Sequence, residues 1–269
     1  MIGFDPAFDQ SLGHTSALGP AVTVHAATFE VDQIECDVSL ILCLMTLEHI
    51  PDPIAFLKRI MALSARNDAA PVVVQVPNAS HVLKQGAFWD VHYEHCNYFT
   101  EQTLRQCLIK SGAGEVHVKT GFADQYLVAT TRSGQATNPA NMGLNIGDPF
   151  EQFCLESHCN ATLWRDLLSA WHAEGRRVAL WPAASKAVGF LATTDIRRKV
   201  TCGVDINPKK WGTYLPGSGL EVVAPDQIAR LGITDVVLLN QNYMDEVSEM
   251  VANAESNAVV HSIDRPPVG

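Results

Sequence analysis

The stretch DVSLILCLMTLEHIPDP, residues 37–53, decides the fold of the first half of this chain. Its near-continuous apolar run predicts a strand over residues 37–44 that is buried on both faces, as in a parallel sheet. The segment Pro51-Asp52-Pro53 then begins a helix, because proline is favoured at the first helical position. A buried strand that leads through a short turn into a helix is typical of an α/β domain.

Further strand patterns lie on both sides of this stretch. Residues 2–5 and 22–25 are predicted as strands upstream, and the apolar run 71–76 is a third strand downstream. In the second half, strands alternate with segments of helix length, which requires crossover connections and a parallel sheet. The strands predicted there cover residues 177–181, 200–205, 222–223, 235–240 and 258–263. The sequence therefore predicts two α/β units, over residues 1–132 and 150–269, joined by a Gly-, Asn- and Pro-rich linker over 133–149.

Composition excludes several classes of protein. The chain has 269 residues, of which 47% are hydrophobic and 18% charged, so wholesale disorder is excluded. A net charge of -10 with scattered Lys and Arg argues against nucleic acid as a partner. The longest apolar stretch, residues 38–47, is far shorter than the ~20 residues that span a bilayer. Seven cysteines without a CxxC pair, and no visible signal peptide, predict reduced thiols and a cytoplasmic protein without membrane association.

The segment WDVHYEHCNYF, residues 89–99, concentrates two histidines, two acids and two tyrosines. These residue types fit a metal site, but the spacing of His92 and His95 is poor for shared ligation, and we expect no metal. A histidine beside a carboxylate suits proton abstraction from carbon, which is the interpretation we favour. The alternative is a polar loop cluster that packs over the sheet.

Asp5 and Lys186 each allow two interpretations, and one is given for Glu48 with His49. Asp5 ends a strand, where an acid can accept ribose hydroxyls, or it caps the next helix. Glu48 and His49 can form an ion pair that stabilises their turn. Lys186 begins a helix and can meet a phosphate as a point charge, or it is a solvated lysine.

Together these motifs resemble the class I S-adenosylmethionine-dependent C-methyltransferases that act on nucleotide-linked deoxysugars. The segment LEHIPDP, residues 47–53, matches the one that follows the family's fourth strand, and YEH with YF in residues 93–99 matches its active-site segment. The second half resembles the family's second α/β domain. The matching segments there are residues 181–191, VDINPK at 204–209, PGSG at 216–219 and residues 240–246.

The resemblance implies an incomplete Rossmann-like methyltransferase domain over residues 1–132, followed by a second Rossmann-like α/β domain over 150–269. It implies C-methylation next to a keto group of a nucleotide-linked deoxysugar through an enolate. His95 would be the base, and Glu94 and Tyr93 would orient it or hydrogen-bond the sugar.

The resemblance also implies a donor site and a substrate site. Asp5 would take the ribose hydroxyls of S-adenosylmethionine, and Met45, Thr46 and Leu47 would lie near its methionine portion. The partner is a small molecule, with no nucleic acid and no membrane. The residues implied for the nucleotide-linked sugar are Asn78, His92, Lys186 and Asn207.

The sequence departs from the family's pattern in three places. It has no paired cysteines of a zinc-binding N-terminal domain, no first strand with a Gly-rich donor loop, and Pro182 and Ala184 where glycines are usual. We therefore expect an N-terminally truncated piece of a longer protein, or an inactive copy. The alternative function is a catalytically inactive relative that binds a sugar nucleotide or a protein partner. A nicotinamide oxidoreductase is disfavoured, because no GxGxxG follows a strand.

Overall fold

The computed structural model describes residues 1–8, 22–136 and 147–267. Most of the predicted linker falls within 137–146 and lies outside the described residues. The division of the chain at residues 132 and 150 stays a prediction. Helices and strands alternate over the described residues, and the predicted α/β fold is confirmed.

The first half contains six strands and three α-helices over its described residues. They are β1 (Ile2–Phe4), β2 (Thr23–His25), β3 (Ile41–Leu44), α1 (Pro53–Arg66), β4 (Val72–Pro77), α2 (Ala79–Gln85), α3 (Glu101–Lys110), β5 (His117–Gly121) and β6 (Tyr126–Thr131). Side chains cap the N-termini of two helices, and the sequence predicts the start of the first, α1. Asp52 accepts a hydrogen bond from the Ala55 N–H at 2.9 Å ahead of α1, and Thr100 accepts one from the Thr103 N–H at 3.2 Å ahead of α3.

These strands form two separate sheets in the described part of the chain. β1 and β2 pair with each other in parallel. The other four follow the order β3-β4-β6-β5, in which β3 and β4 are parallel and β6 is antiparallel to both of its neighbours. β5 and β6 form an antiparallel hairpin at one edge of this sheet.

The strand predicted over residues 37–44 forms as β3 but is not buried on both faces. β3 is the edge strand of its sheet, and only alternate residues such as Ile41 and Cys43 face the core. The residues between them, Leu40, Leu42 and Leu44, are 46–49% exposed. A strand is buried on both faces only when another layer packs against each face of its sheet. The described residues pack against only one face of β3. The prediction for this strand was therefore wrong.

The second half is a parallel sheet with helices on both faces, as predicted. Its elements are α4 (Gly147–Ala173), β7 (Val178–Trp181), α5 (Ser185–Thr194), β8 (Cys202–Val204), β9 (Val222–Val223), α6 (Gln227–Arg230), β10 (Asp235–Leu238), α7 (Met244–Asn253) and β11 (Val259–Ser262). The strand order is β11-β10-β7-β8-β9, and every neighbouring pair is parallel. Alternate residues of β7 and β10 face two different apolar clusters, so both faces of this sheet are covered.

The loop after α2 is anchored in the core of the second half. Phe88 and Trp89 are buried there, and the Phe88 ring stacks on Phe190 of α5 at 5.9 Å. The backbone of α5 comes close to this loop, since a Cβ on Gly189 would lie 3.4 Å from the carbonyl oxygen of Trp89. The chain that carries the His-rich segment therefore leaves the first half's sheet and is fixed against the second half.

Two findings bear on the predicted environment of the chain. All seven cysteines lie within the described residues and are free thiols, as their odd number and spacing predict. Among the helices that the structure describes, none has the length and apolarity needed to cross a bilayer.

Candidate functional site

Two segments meet at the carboxyl end of β3. The first is the Leu47–His49 turn, and the second is the loop of residues 89–99. Asn97 joins them, because its N–H donates to the Glu48 carbonyl oxygen at 3.1 Å and its side-chain amide donates to the Ile50 carbonyl oxygen at 2.7 Å. Ala79 holds the far end of the loop by donating its N–H to the Phe99 carbonyl oxygen at 2.8 Å. The polar side chains of both segments are thereby gathered at one place.

Three imidazole rings lie side by side at this meeting point. The ring of His95 lies 4.9 Å from that of His49 and 4.8 Å from that of His92, both in edge-to-face orientation. Tyr98 braces the loop, since its hydroxyl accepts a hydrogen bond from the His92 N–H at 3.0 Å. His95 is half-buried at the centre of the group and remains open to a ligand on one side.

The surroundings of His95 and His92 favour the uncharged form of these two rings. Burial, together with the neighbouring imidazoles of His92 and His49, lowers the pKa of His95 to about 4. Burial also lowers the pKa of His92. A neutral imidazole carries a lone pair on one ring nitrogen and can accept a proton or bind a cation. His95 is therefore in its proton-accepting form at neutral pH.

Glu48 is the buried acid of the site. Glu48 is 1% exposed, and neither of its carboxylate oxygens has a hydrogen-bond partner in the described part of the chain. Burial raises its pKa. The interpretation of Glu48 and His49 as a satisfied ion pair is therefore wrong, because the structure gives the carboxylate no bonded partner.

An ion pair connects the site to the second half of the chain. Lys186, at the start of α5, places its Nζ 2.9 Å from one carboxylate oxygen of Asp90 and 3.0 Å from the other. His92 lies on the other side of that carboxylate, with Nε2 at 3.8 Å. Lys186 is thus a partner of Asp90, which stands at the base of the His-rich loop, rather than a fully solvated lysine.

The other two predicted catalytic residues are placed differently from His95. The Tyr93 side chain is fully exposed and does not pack against the imidazoles. Glu94 is exposed as well, but its carbonyl oxygen lies 3.1 Å from Nδ1 of His49. Glu94 therefore contributes to the site through its backbone.

The residues predicted to hold the donor follow the carboxyl ends of β1 and β3. Asp5 follows β1, is exposed, and accepts a hydrogen bond from the Ala7 N–H at 2.8 Å. Met45 follows β3 with a left-handed backbone (φ 48°) and is 39% exposed. Thr46 donates its hydroxyl to the Leu44 carbonyl oxygen at 2.9 Å, and Leu47 is fully buried. β1 and β3 belong to different sheets, so no strand hydrogen bonds connect them in the described residues.

Two predicted substrate residues act locally as helix and turn caps. Asn78 is buried and accepts a hydrogen bond from the Ser80 N–H at 3.1 Å while donating to the Asp124 carbonyl oxygen at 2.9 Å. Asn207 accepts one from the Lys209 N–H at 3.1 Å. The structure does not bring Asn207 into contact with the imidazole group.

Sequence reasoning missed the roles of His49, Glu48 and Asp90 in this arrangement. His49 and His95 are 46 positions apart, and no periodicity within either segment predicts their contact. One signal was present: the turn with Glu48 and His49 directly follows an apolar strand, and ligands of α/β sheets bind at that end of the strands.

Comparison with known proteins identifies the chain. A model of a methyltransferase domain matches residues 1–117, and a model of a C-methyltransferase C-terminal domain matches residues 133–260. The two matches follow one another and together span nearly the whole chain. The chain therefore carries two methyltransferase-family domains. The predicted methyltransferase family and α/β fold are thereby confirmed.

A curated relative belongs to the same family. The C-methyltransferase NovU of Streptomyces niveus is 25% identical over 213 residues, which cover 74% of this chain and 50% of the relative. The chain therefore spans about half the length of the curated relative that it matches.

Two solved structures align with about half of this chain. Magnesium protoporphyrin IX methyltransferase from Synechocystis PCC 6803, with bound SAH, is 15% identical and aligns over 46% of this chain and 57% of its own, with a TM-score of 0.31. A possible exported protein from Bordetella parapertussis is 13% identical, with coverages of 49% and 53% and a TM-score of 0.33. TM-scores at this level do not by themselves identify a fold.

Proposed function

We propose that this chain provides the proton-abstracting site of an S-adenosylmethionine-dependent C-methyltransferase whose substrate is a nucleotide-linked keto-deoxysugar. The observation that carries the proposal is the position of His95. It is a neutral imidazole, half-open to solvent, between two further imidazoles at the carboxyl end of a strand. That is the end of an α/β sheet where ligands bind.

His95 would move one proton. Its lone pair takes the proton from the carbon next to the keto group, and the electrons of that C–H bond form the enolate. His49 and His92 hold the ring of His95 in place, and His92 in turn lies beside the carboxylate of Asp90. A positioned base of this kind contributes ~10²–10⁴-fold to the rate.

The described residues at the carboxyl ends of β1 and β3 suit the binding of a methyl donor. Asp5 presents an exposed carboxylate at the carboxyl end of β1, where it would take ribose hydroxyls, and Met45 to Leu47 would border the donor from β3. S-adenosylmethionine, when bound, supplies a methyl group on a positively charged sulfur, which the enolate carbon accepts as the thioether departs. Tyr93 and Glu94 are proposed to contact the sugar, because both side chains are exposed and the two residues directly precede His95 in the chain.

The nucleotide part of the substrate would lie toward the second half of the chain. Lys186 and His92 share the carboxylate of Asp90 there, and Asn78 and Asn207 are the other residues proposed for this side. A phosphate that approached Lys186 would compete with Asp90 for its ammonium group. Seven free thiols support the reducing cytoplasm as the place of action.

The experiment that tests this function is a methyl-transfer assay with the whole chain. S-adenosylmethionine is mixed with a panel of nucleotide-linked keto-deoxysugars, and the methylated sugar nucleotide is detected by mass spectrometry. We expect transfer by the wild type and a loss of ~10²–10⁴-fold in His95→Gln. Donor affinity measured by calorimetry should stay the same in that variant, because His95 acts on the substrate.

A matched control is His117→Gln, which changes an exposed histidine on β5. It should leave both transfer and donor binding unchanged. Equal turnover of His95→Gln and wild type would contradict the proposal, and so would loss of donor binding in His95→Gln. Sugar-nucleotide binding without any transfer would favour the non-catalytic relative.

A further inference from the structure

One group of side chains is arranged as a cation site that the proposed proton transfer does not require. Glu48, His49 and His95 each offer one ligand atom, and these atoms all lie within 4.8 Å of one another. We refer to them as the Glu48–His49–His95 cluster. They come from two segments that Asn97 ties together, so the backbone beneath the cluster is held by hydrogen bonds.

The carboxylate of Glu48 is an independent sign of a ligand. The residue is 1% exposed, yet neither carboxylate oxygen has a hydrogen-bond partner in the described part of the chain. Burying a carboxylate without a partner is costly, and buried charges in proteins are paired or bind metal ions. A cation between Glu48 and the two imidazoles would supply the missing partner.

His49 is oriented as metal-binding histidines are. Its Nδ1 lies 3.1 Å from the carbonyl oxygen of Glu94. A carbonyl oxygen only accepts hydrogen bonds, so Nδ1 carries the proton and Nε2 keeps the lone pair. Histidines that bind metals usually donate their second N–H to a carbonyl or carboxylate in this way, which fixes the tautomer and the ring.

The donor set selects the kind of ion. Two imidazoles and one carboxylate are ligands of Zn²⁺ in catalytic sites, where a fourth position stays open. Mg²⁺ and Ca²⁺ prefer oxygen ligands alone. A tetrahedral ion with bonds of about 2.0–2.1 Å holds its ligand atoms about 3.4 Å apart. Small side-chain rotations in the cluster would reach that spacing, and the exposed side of His49 leaves room for the fourth ligand.

We propose that Glu48, His49 and His95 bind a divalent transition-metal ion, with Zn²⁺ the best match, and that the bound ion inhibits the enzyme reversibly. Inhibition rests on the proposed function, because a metal bond to His95 uses the lone pair that proton abstraction needs. The binding site itself stands on the geometry of the cluster alone.

Binding is tested without any assay of activity. The whole chain is first treated with a chelator, and Zn²⁺ affinity is then measured by competition with a chromophoric chelator, with Co²⁺ absorption as a report on coordination. We expect one ion per chain. Loss of an outer partner of a metal site costs ~10–100-fold in affinity, so loss of a ligand in Glu48→Gln or His49→Ala should cost at least ~100-fold.

Two control variants separate this site from other zinc-binding groups. His117→Gln removes an exposed histidine that lies 3.4 Å from Glu115, and a double variant, Cys154→Ser with Cys159→Ser, removes two exposed thiols on α4. Both should keep the wild-type affinity. His49→Ala changes an exposed side chain, so it keeps the test valid if Glu48→Gln fails to fold.

Three outcomes decide the binding site, and three more concern inhibition. A lower affinity in both cluster variants with normal affinity in the controls supports the site. Equal affinity of wild type and cluster variants overturns it, and so does binding that only the cysteine variant loses. For inhibition, the Zn²⁺ concentration that halves methyl transfer should equal the dissociation constant. Full methyl transfer by the zinc-bound chain would overturn inhibition, whereas a metal-free chain without transfer would count against the proposed function only.

Discussion

Two buried carboxylates, one in each half of the chain, have opposite surroundings. Glu48 and Asp235 belong to residues that are each 1% exposed. Asp235, on β10, accepts hydrogen bonds from the guanidinium of Arg176, with Nε at 2.8 Å, and from Thr234 at 2.7 Å, and it lies 2.8 Å from Nε2 of His261. Glu48 has no bonded partner in the described residues.

The pKa values of the two carboxyls respond in opposite directions. Burial alone would raise the pKa of Asp235, but hydrogen bonds from Arg176, Thr234 and His261 outweigh it and hold the pKa below its usual range. Burial raises the pKa of Glu48 without such compensation. A buried acid with a complete set of partners stabilises the fold, whereas one without partners marks a place where a ligand completes the structure.

The largest effect is expected for Asp235→Asn. The substitution keeps the shape of the side chain but removes the charge that Arg176 faces, and breaking a buried ion pair costs ~3–5 kcal/mol. Because the Arg176 side chain is 31% exposed, we expect the low end, about 3 kcal/mol. Urea unfolding measures this loss. The exposed Glu249→Gln on α7 is the control and should change stability by less than about 0.5 kcal/mol.

The pH dependence of stability should follow the same residue. A carboxyl whose pKa is lowered by folding stabilises the protein above its unfolded pKa of about 3.9, and that contribution is lost as the pH falls through the folded value. The free energy of unfolding of the wild type should therefore fall more steeply between about pH 5 and pH 3 than that of Asp235→Asn. Parallel curves for the two proteins would show that Asp235 titrates alike in both states.

A smaller effect is expected at the ion pair between the halves. Asp90 and Lys186 have side chains that are 15% and 20% exposed, so their interaction is only partly screened by water. A double-mutant cycle with Asp90→Asn and Lys186→Met should give a coupling of about 1 kcal/mol in unfolding free energy. Purely additive effects would mean that the pair adds nothing to the docking of the His-rich loop.

The smallest effect on stability is expected for Glu48→Gln. The carboxylate makes no hydrogen bond that the amide would lose, and the neutral amide removes the cost of burying a charge, so the free energy of unfolding of the metal-free chain should stay the same or rise slightly. Thermal unfolding in the presence of a chelator measures this difference. If Glu48→Gln cost as much as Asp235→Asn, the contrast between the two acids would disappear and Glu48 would be structural.

Local patterns were sufficient for most of the fold. The apolar runs that become β4 and β7, and the proline-marked start of α1, depend only on neighbouring residues, and the structure confirms them. Burial of β3 could not be predicted, because an apolar run does not say whether a second layer covers it. Leu42 is 49% exposed for that reason.

The site was predictable only in part. The motif with His95 is recognisable within eleven residues of sequence. Its contact with His49 depends on how the loop of residues 89–99 packs against the turn after β3. Tyr93 belongs to the same motif, and its exposed side chain depends on the loop's path, which no local pattern fixes. Neither a motif nor residue spacing predicted that the Glu48 carboxylate would be buried without a hydrogen-bond partner in the described residues.

The proton-abstracting role of His95 has one most direct test. A nucleotide-linked keto-deoxysugar is incubated in heavy water with the whole chain and without a methyl donor, and deuterium at the carbon next to the keto group is followed by NMR. We predict exchange by the wild type, above the rate in buffer alone, and a rate ~10²–10⁴-fold lower for His95→Gln. Equal exchange rates for the two proteins would contradict that role.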